Sequence, residues 1–323
     1  MGQLPRPLTQ GKGIEWSPVQ DGSGQLFFLG STATQPAGVK RLKANQPVAV
    51  TSAKDYPSHL LVEPEQVVFP SADGMPIHAQ LFLPKDLKKG EKRPALLFFH
   101  GGSRRQMLLG FHHRGYYHHA YAMNQYLASQ GYIVMSVNYR SGIGYGMEFR
   151  EAPGFGAAGA SEFNDVLGAG LYVKNHAKVD GNKIGLWGGS YGGYLTAMGL
   201  ARASDLFAAG VDIHGVTDWN KVIQNFVPAY NPLEDPVFAR QAYDSSPIAS
   251  MSTWRSPVLL IHGDDDRNVP FSETVDKAEA LRRQGVYFEQ LVFPDEVHGF
   301  LLHANWLKAY EATFGFFERM LRP

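Results

Sequence analysis

A chain of 323 residues that is 44% hydrophobic can bury a sizeable core, yet it is short for two full domains. Thirty basic and thirty acidic side chains cancel, so no net field gathers phosphate backbones or anionic lipid, and nucleic acid and membrane surfaces are poor partners. Cysteine is absent, which excludes disulfides, thiolate chemistry and cysteine-ligated zinc. That absence, with no signal-like apolar core in residues 1–20, fits a cytoplasmic location, and no apolar run reaches the roughly 18 residues of a membrane span.

Residues 1–62 hold short β-like runs at 25–29 and 48–52 among Pro, Gly, Ser and Thr, with no helical period. They read as a few small strands without a self-sufficient core. From residue 63 the texture changes. Runs at 67–69 and 78–83 predict a hairpin around Asp73-Gly74, and further strands are expected at 95–99, 132–138, 183–187, 208–213, 258–261 and 288–293. Between and after them, helical patterns fall near 119–130, 161–176, 191–203, 217–227, 272–284 and 304–321. Val275, Ala278 and Leu281 are expected on one helix face, with Gly285 as its C-cap. Trp306, Tyr310, Phe314 and Phe317 form a stripe on the last helix. Repeated β-α alternation predicts an α/β fold, a mostly parallel sheet with helices on both faces.

Gly188-Gly189-Ser190-Tyr191-Gly192 is a G-x-S-x-G between an expected strand and an expected helix, the setting of a nucleophile elbow. The turn is tight, so its flanking positions must lack side chains. A serine hydroxyl needs a base. In α/β-hydrolases the chain order is Ser, acid, His, and only His298 and His303 lie beyond the last strand. His298 is preferred, because it sits in the loop just after that strand, where catalytic groups of open α/β sheets gather. The acid is expected after strand 258–261, where Asp264, Asp265 and Asp266 are not separable by spacing alone. The backbone N–H of Tyr191 and one from His100-Gly101-Gly102 are the expected oxyanion donors.

Four further strings, Asn138-Tyr139-Arg140-Ser141-Gly142-Ile143-Gly144-Tyr145-Gly146, Gly193-Tyr194 after the elbow, His262-Gly263-x-x-Asp266-x-x-Val269-Pro270 and His298-Gly299, resemble the S9 serine peptidases of the prolyl oligopeptidase family over residues 63–323. The resemblance implies an α/β-hydrolase catalytic domain and selects Asp266 as the acid. It places Asn268 and Trp219 in substrate binding, with Trp219 walling a specificity pocket. Where prolyl oligopeptidase and dipeptidyl peptidase carry a tyrosine donor this chain has His100, so Gly101 is expected to supply the donor as a backbone N–H. Family members carry a β-propeller, and residues 1–62 are similar to a partial blade and linker, as of a fragment or a member without the propeller. These residues are expected to pack on the hydrolase unit or on a second subunit of a homo-oligomer.

The implied activity is cleavage of short peptides through an acyl-enzyme, with no cofactor or metal required. The alternatives are a carboxylesterase using the same residues and a non-catalytic fragment that binds or oligomerises. The histidines at 112, 113, 118 and 119 are expected in a polar surface or loop segment rather than a metal site, and Arg104-Arg105 are expected to be solvated.

Overall fold

The computed structural model describes residues 4–51, 53 and 55–322. It contains two sheets. The first is a four-stranded antiparallel meander, β1 (Ile14–Gln20), β2 (Leu26–Ser31), β3 (Gly38–Lys43) and β4 (Gln46–Ala49), paired in that order. Ser52, the end of the second expected N-terminal strand, lies outside the described residues. The sheet rests on the segment before and within the first helix. Ser31 Oγ donates to the Phe111 carbonyl at 2.6 Å, and the Phe111 N–H donates to Thr32 O at 3.1 Å.

The second sheet has eight strands. In chain order the elements are β5 (Glu65–Pro70), β6 (Pro76–Phe82), β7 (Arg93–Phe99), α1 (Gly115–Ser129), β8 (Ile133–Asn138), α2 (Met147–Arg150), α3 (Phe163–Lys174), β9 (Val179–Gly189), α4 (Tyr191–Arg202) and β10 (Ala209–Ile213). They continue with α5 (Trp219–Phe226), α6 (Pro236–Asp244), β11 (Val258–Gly263), α7 (Ser272–Gln284), β12 (Phe288–Phe293) and α8 (His303–Leu321). The spatial order is β12-β11-β10-β9-β7-β8-β6-β5. Strands β7 to β12 run parallel; the β5–β6 hairpin adds an antiparallel edge, with Gly74 at φ +90° in its turn.

Buried clusters line both faces of this sheet, one including Leu97, Val137 and Leu186, the other Phe98, Trp187 and Phe317. Central strands β8, β10 and β11 are buried along their whole length, as strands covered on both faces must be. The last helix buries Trp306 and Phe317, two members of the expected stripe. Helix α7 departs from expectation. Val275 is 41% exposed, and the buried face is Glu273, Thr274, Lys277, Ala278 and Leu281. Ala278 and Leu281 are buried as expected; the polar members of that face bond to β10, β11 and the loop after β10, which apolarity alone does not reveal. Gly285 does cap α7 in the left-handed conformation, at φ +68°. Among the described residues, no helix is long and apolar enough to cross a membrane.

Candidate active site

Five parallel strands deliver loops to one edge of the large sheet. Strand β9 ends at Gly189, and Ser190 occupies the turn into α4 at φ +60°, ψ −122°, a left-handed backbone that few non-glycine residues adopt. Its N–H donates to Ile213 O at 2.9 Å. A side chain at Gly188 or Gly192 would collide with the Phe99 carbonyl oxygen, and one at Gly193 with Asp212. The glycines therefore let α4 sit against β7 and β10.

His298 arrives on the loop after β12. Its Nε2 lies 2.9 Å from Ser190 Oγ, and its Nδ1 lies 2.6 Å from Asp266 Oδ2. Asp266 arrives on the loop after β11 and is buried. Its Oδ2 also accepts from His262 Nε2 at 3.1 Å, while Oδ1 accepts the N–H groups of Asn268 at 2.8 Å and Val269 at 3.0 Å. His262 Nε2 faces two acceptors, Asp266 and Val269 O, so it carries the proton, and Nδ1 accepts from Thr274 Oγ1 at 2.8 Å. Burial raises the Asp266 pKa, but the bonds from His262 and His298 and the imidazole charge outweigh it, holding this carboxyl far below the usual range. The other two aspartates are exposed. Asp264 accepts from Asp295 N–H at 2.7 Å, and Asp265 pairs with Arg267.

The loop after β7 brings Gly101 close to the serine. A β-carbon there would stand 3.3 Å from Ser190 Cβ and 3.1 Å from Gly189 O. His100 is fully buried and stacked on Tyr139, and burial lowers its pKa to about 4, so it is a neutral support. Tyr191 opens α4, where first-turn N–H groups lack helical partners. Its phenol donates to buried Glu162, which also accepts from Ser141 Oγ at 3.0 Å and from the Gly156 N–H. Burial is the first cause of the raised Glu162 pKa.

Beside the serine lies a cleft of about 480 Å³, lined by Tyr191, Trp219, Phe155, Ile223, Phe238 and the 102–105 loop. Trp219 is where a wall was expected, with its ring 5.6 Å from that of Tyr191. Asn268 is exposed and does not line this cleft. Arg104 forms a bidentate pair with Glu151 that stays partly exposed to solvent, and Arg104 and Arg105 both line the cleft. His112 is also not a surface residue. It is buried, with Nε2 3.1 Å from Gln106 O and Nδ1 accepting the Arg114 N–H at 2.9 Å.

Two neighbours of His298 escaped the sequence reading. Buried His214 follows β10 and stacks its ring 4.3 Å from that of His298; Tyr116 of α1 bonds His214 Nε2 at 2.9 Å. The rule that favoured His298, a histidine just past a strand's C-terminal end, also flags His214. Among the described residues, His214, Asp266 and His298 are the one group with three metal-type ligand atoms close together. The 2.6 Å contact between two of them is a hydrogen bond, too short for two ligands of a tetrahedral ion.

A mostly parallel sheet flanked by helices, a serine at φ +60° between β9 and α4, and Asp266 and His298 on the loops after β11 and β12 have the arrangement of an α/β-hydrolase. The model of the prolyl oligopeptidase family matches residues 118–323, more than half of the chain, and the chain belongs to that family. It is 29% identical over 279 residues to dipeptidyl aminopeptidase BIII of Pseudoxanthomonas mexicana, covering 81% of this chain and 39% of that protein. It is 31% identical to human dipeptidyl peptidase 8, covering 73% and 26%. The uncomplexed acylaminoacyl peptidase of Pyrococcus horikoshii superimposes with a TM-score of 0.78 at 26% identity, over 97% of this chain and 50% of that one. The chain thus spans half or less of these relatives' own lengths.

Proposed function

We propose that this chain hydrolyses short peptides through an acyl-enzyme on Ser190, with His298 as base and Asp266 as its orienting acid. The observation that carries this is the unbroken relay Asp266–His298–Ser190, at 2.6 and 2.9 Å. Ser190 Oγ attacks the substrate carbonyl carbon as His298 Nε2 takes its proton. The N–H groups of Tyr191 and Gly101 stabilise the tetrahedral oxyanion. Collapse breaks the C–N bond, and His298 returns the proton to the leaving amine. Water then attacks the ester with His298 as base, and the acid and Ser190 are released. Asp266 keeps the proton on Nδ1 and balances the imidazolium.

The aromatic cleft walled by Tyr191 and Trp219 suits an apolar residue beside the scissile bond, and Asn268 is proposed to reach substrate only from the rim. The relatives' names support peptide substrates: acylaminoacyl peptidase, dipeptidyl peptidase, and a solved acylaminoacyl peptidase complex with Z-Gly-Gly-Phe-chloromethyl ketone. The test is a fluorophosphonate probe with peptide mapping, followed by turnover of peptide p-nitroanilides and p-nitrophenyl esters. Label on Ser190 and cleavage of both substrates are expected; ester turnover without any amide cleavage would overturn the peptide assignment.

The division into a β unit, residues 1–62, and a catalytic unit, 63–323, is proposed because the two sheets share no strand pairing among the described residues. Homo-oligomerisation is proposed as well. It is supported by the open edges β1 and β4 of the small sheet and by Leu301, 75% exposed, beside Leu302 and Leu307. Light scattering tests it, and a monomer at all concentrations would overturn it.

A further inference from the structure

We propose that His214, tethered by Tyr116, is a positioning residue that fixes the plane of the His298 imidazole. The proposal rests on reading Ser190 and His298 as nucleophile and base. His298 is held at both nitrogens, by Asp266 at Nδ1 and Ser190 at Nε2. Two hydrogen bonds and the Cβ link set the ring's mean plane, but the bonds bend at little cost, which leaves the ring freedom to tilt through its side-chain torsions. A contact on the ring face removes that freedom. His214 supplies it, with its centroid 4.3 Å away and its plane tilted 35°.

Three observations set His214 apart from an ordinary core residue. Its backbone is left-handed, at φ +42°, which is uncommon outside glycine. Its Nδ1 is buried without a hydrogen-bond partner among the described residues, where an apolar ring would leave no polar atom unpaired. Its Nε2 meets the Tyr116 hydroxyl in the space next to Gly189: a β-carbon on Gly189 would stand 3.2 Å from that nitrogen and collide with the phenol oxygen. The residue before the nucleophile is thus kept bare by the tether that aims His214. Burial first, and His298 second, hold the His214 pKa well below its usual value, so no like charge arises beside His298 when it takes the serine proton.

The test reads the second-order rate of Ser190 phosphonylation by a fluorophosphonate, which requires no known substrate, together with the low-field proton resonance of His298 Nδ1–H. His214→Ala is expected to label about tenfold or more slowly, the scale of a misplaced reacting group, with the resonance broadened and the melting cooperative. His214→Phe restores a ring face and is expected to recover most of the rate and the resonance. If His214→Ala does not fold, Tyr116→Phe, which cuts only the tether, is expected to label several-fold more slowly. A wild-type protein that does not label would remove the serine-hydrolase reading itself. A wild type that labels, with His214→Ala or Tyr116→Phe at the same rate, or with His214→Phe as slow as His214→Ala and the resonance sharp in both, would overturn the positioning role.

Discussion

Asp266 accepts four hydrogen bonds, from His262 on β11 and from donors on two loops, whereas Asp264 and Asp265 accept from exposed neighbours. That contrast predicts the outcome of replacing each in turn. Asp266→Asn puts an amide where a carboxylate must accept from His298 Nδ1–H, so the imidazole is held in the wrong tautomer, and kcat should fall about 10⁴-fold. Asp264→Asn and Asp265→Asn should each stay within about threefold of wild type, as surface changes do. Steady-state kinetics on one ester separates the three, and a severe loss at Asp264 or Asp265 would move the acid. Ser190→Ala should remove turnover by several orders of magnitude while thermal melting stays close to wild type, since among the described residues the hydroxyl's one polar contact is to His298. Ser190, the His298 that the structure places beside it and the glycines around them were legible in the sequence because the proposed chemistry requires particular residue types at short spacings. His214 was open to the same rule as His298 but has no place in the serine–acid–base order, and Tyr116 meets His214 from α1 through a contact that no local spacing encodes.

Helix α7 shows how an element can be placed correctly and its role misread. Its residues 272–284 follow the helical period, but what it buries against the loop after β10 is polar. Lys277 pairs with Asp212 out of solvent and donates to Gly215 O at 3.2 Å. Glu273 Oε2 accepts the N–H groups of Thr217 at 2.6 Å and Asp218 at 2.8 Å. These bonds hold the strand end that carries His214 and lead into Trp219. Burial pushes the Glu273 carboxyl up to about 6 from 4.5. The folded state therefore keeps a proton that the unfolded chain has released, and the stability this group contributes is full below about pH 4.5 and lost as pH rises through about 6. The rise is equivalent to about 2 kcal/mol. Glu273→Gln keeps an acceptor for both N–H groups and cannot ionise. Urea melts of both proteins at pH 4.5 and 7.5 should show wild type losing up to about 2 kcal/mol relative to the variant; an unchanged difference would mean the carboxyl ionises freely in the fold. Elsewhere the legibility of elements followed their burial. Strands covered on both faces read as apolar runs, whereas β1 and β3, with polar and half-exposed faces, passed unnoticed. Helix α6 was missed although Asp235-Pro236 marks its start, the aspartate accepting the Phe238 N–H at 3.1 Å.

Across the whole molecule, the small sheet meets the large unit at the 110–114 segment and at α1. At its first turn α1 carries Tyr116 and Tyr117 beside the active site; at its other end it carries Gln125, which is buried. Gln125 Oε1 accepts the Val62 N–H at 2.9 Å, and its amide donates to Val62 O at 2.7 Å and to Ala33 O at 3.1 Å. One side chain thus ties the small sheet's connecting loop, the segment entering β5 and the helix that fronts the site. Gln125→Ala would leave several of these buried groups without partners, at about 1–3 kcal/mol for each left unsatisfied. Water entering a loosened contact would offset part of that. The expected result is a melting transition lowered by several degrees, with faster proteolytic nicking between β4 and β5, where most described residues before Leu61 are exposed. Gln66→Ala, on the exposed face of β5, should change stability by no more than about 0.5 kcal/mol and serves as the control. Mass spectrometry of timed digests locates the cuts. If Gln125→Ala is nicked no faster than Gln66→Ala, the N-terminal sheet is held without Gln125, through its bonds to Phe111 and Tyr121.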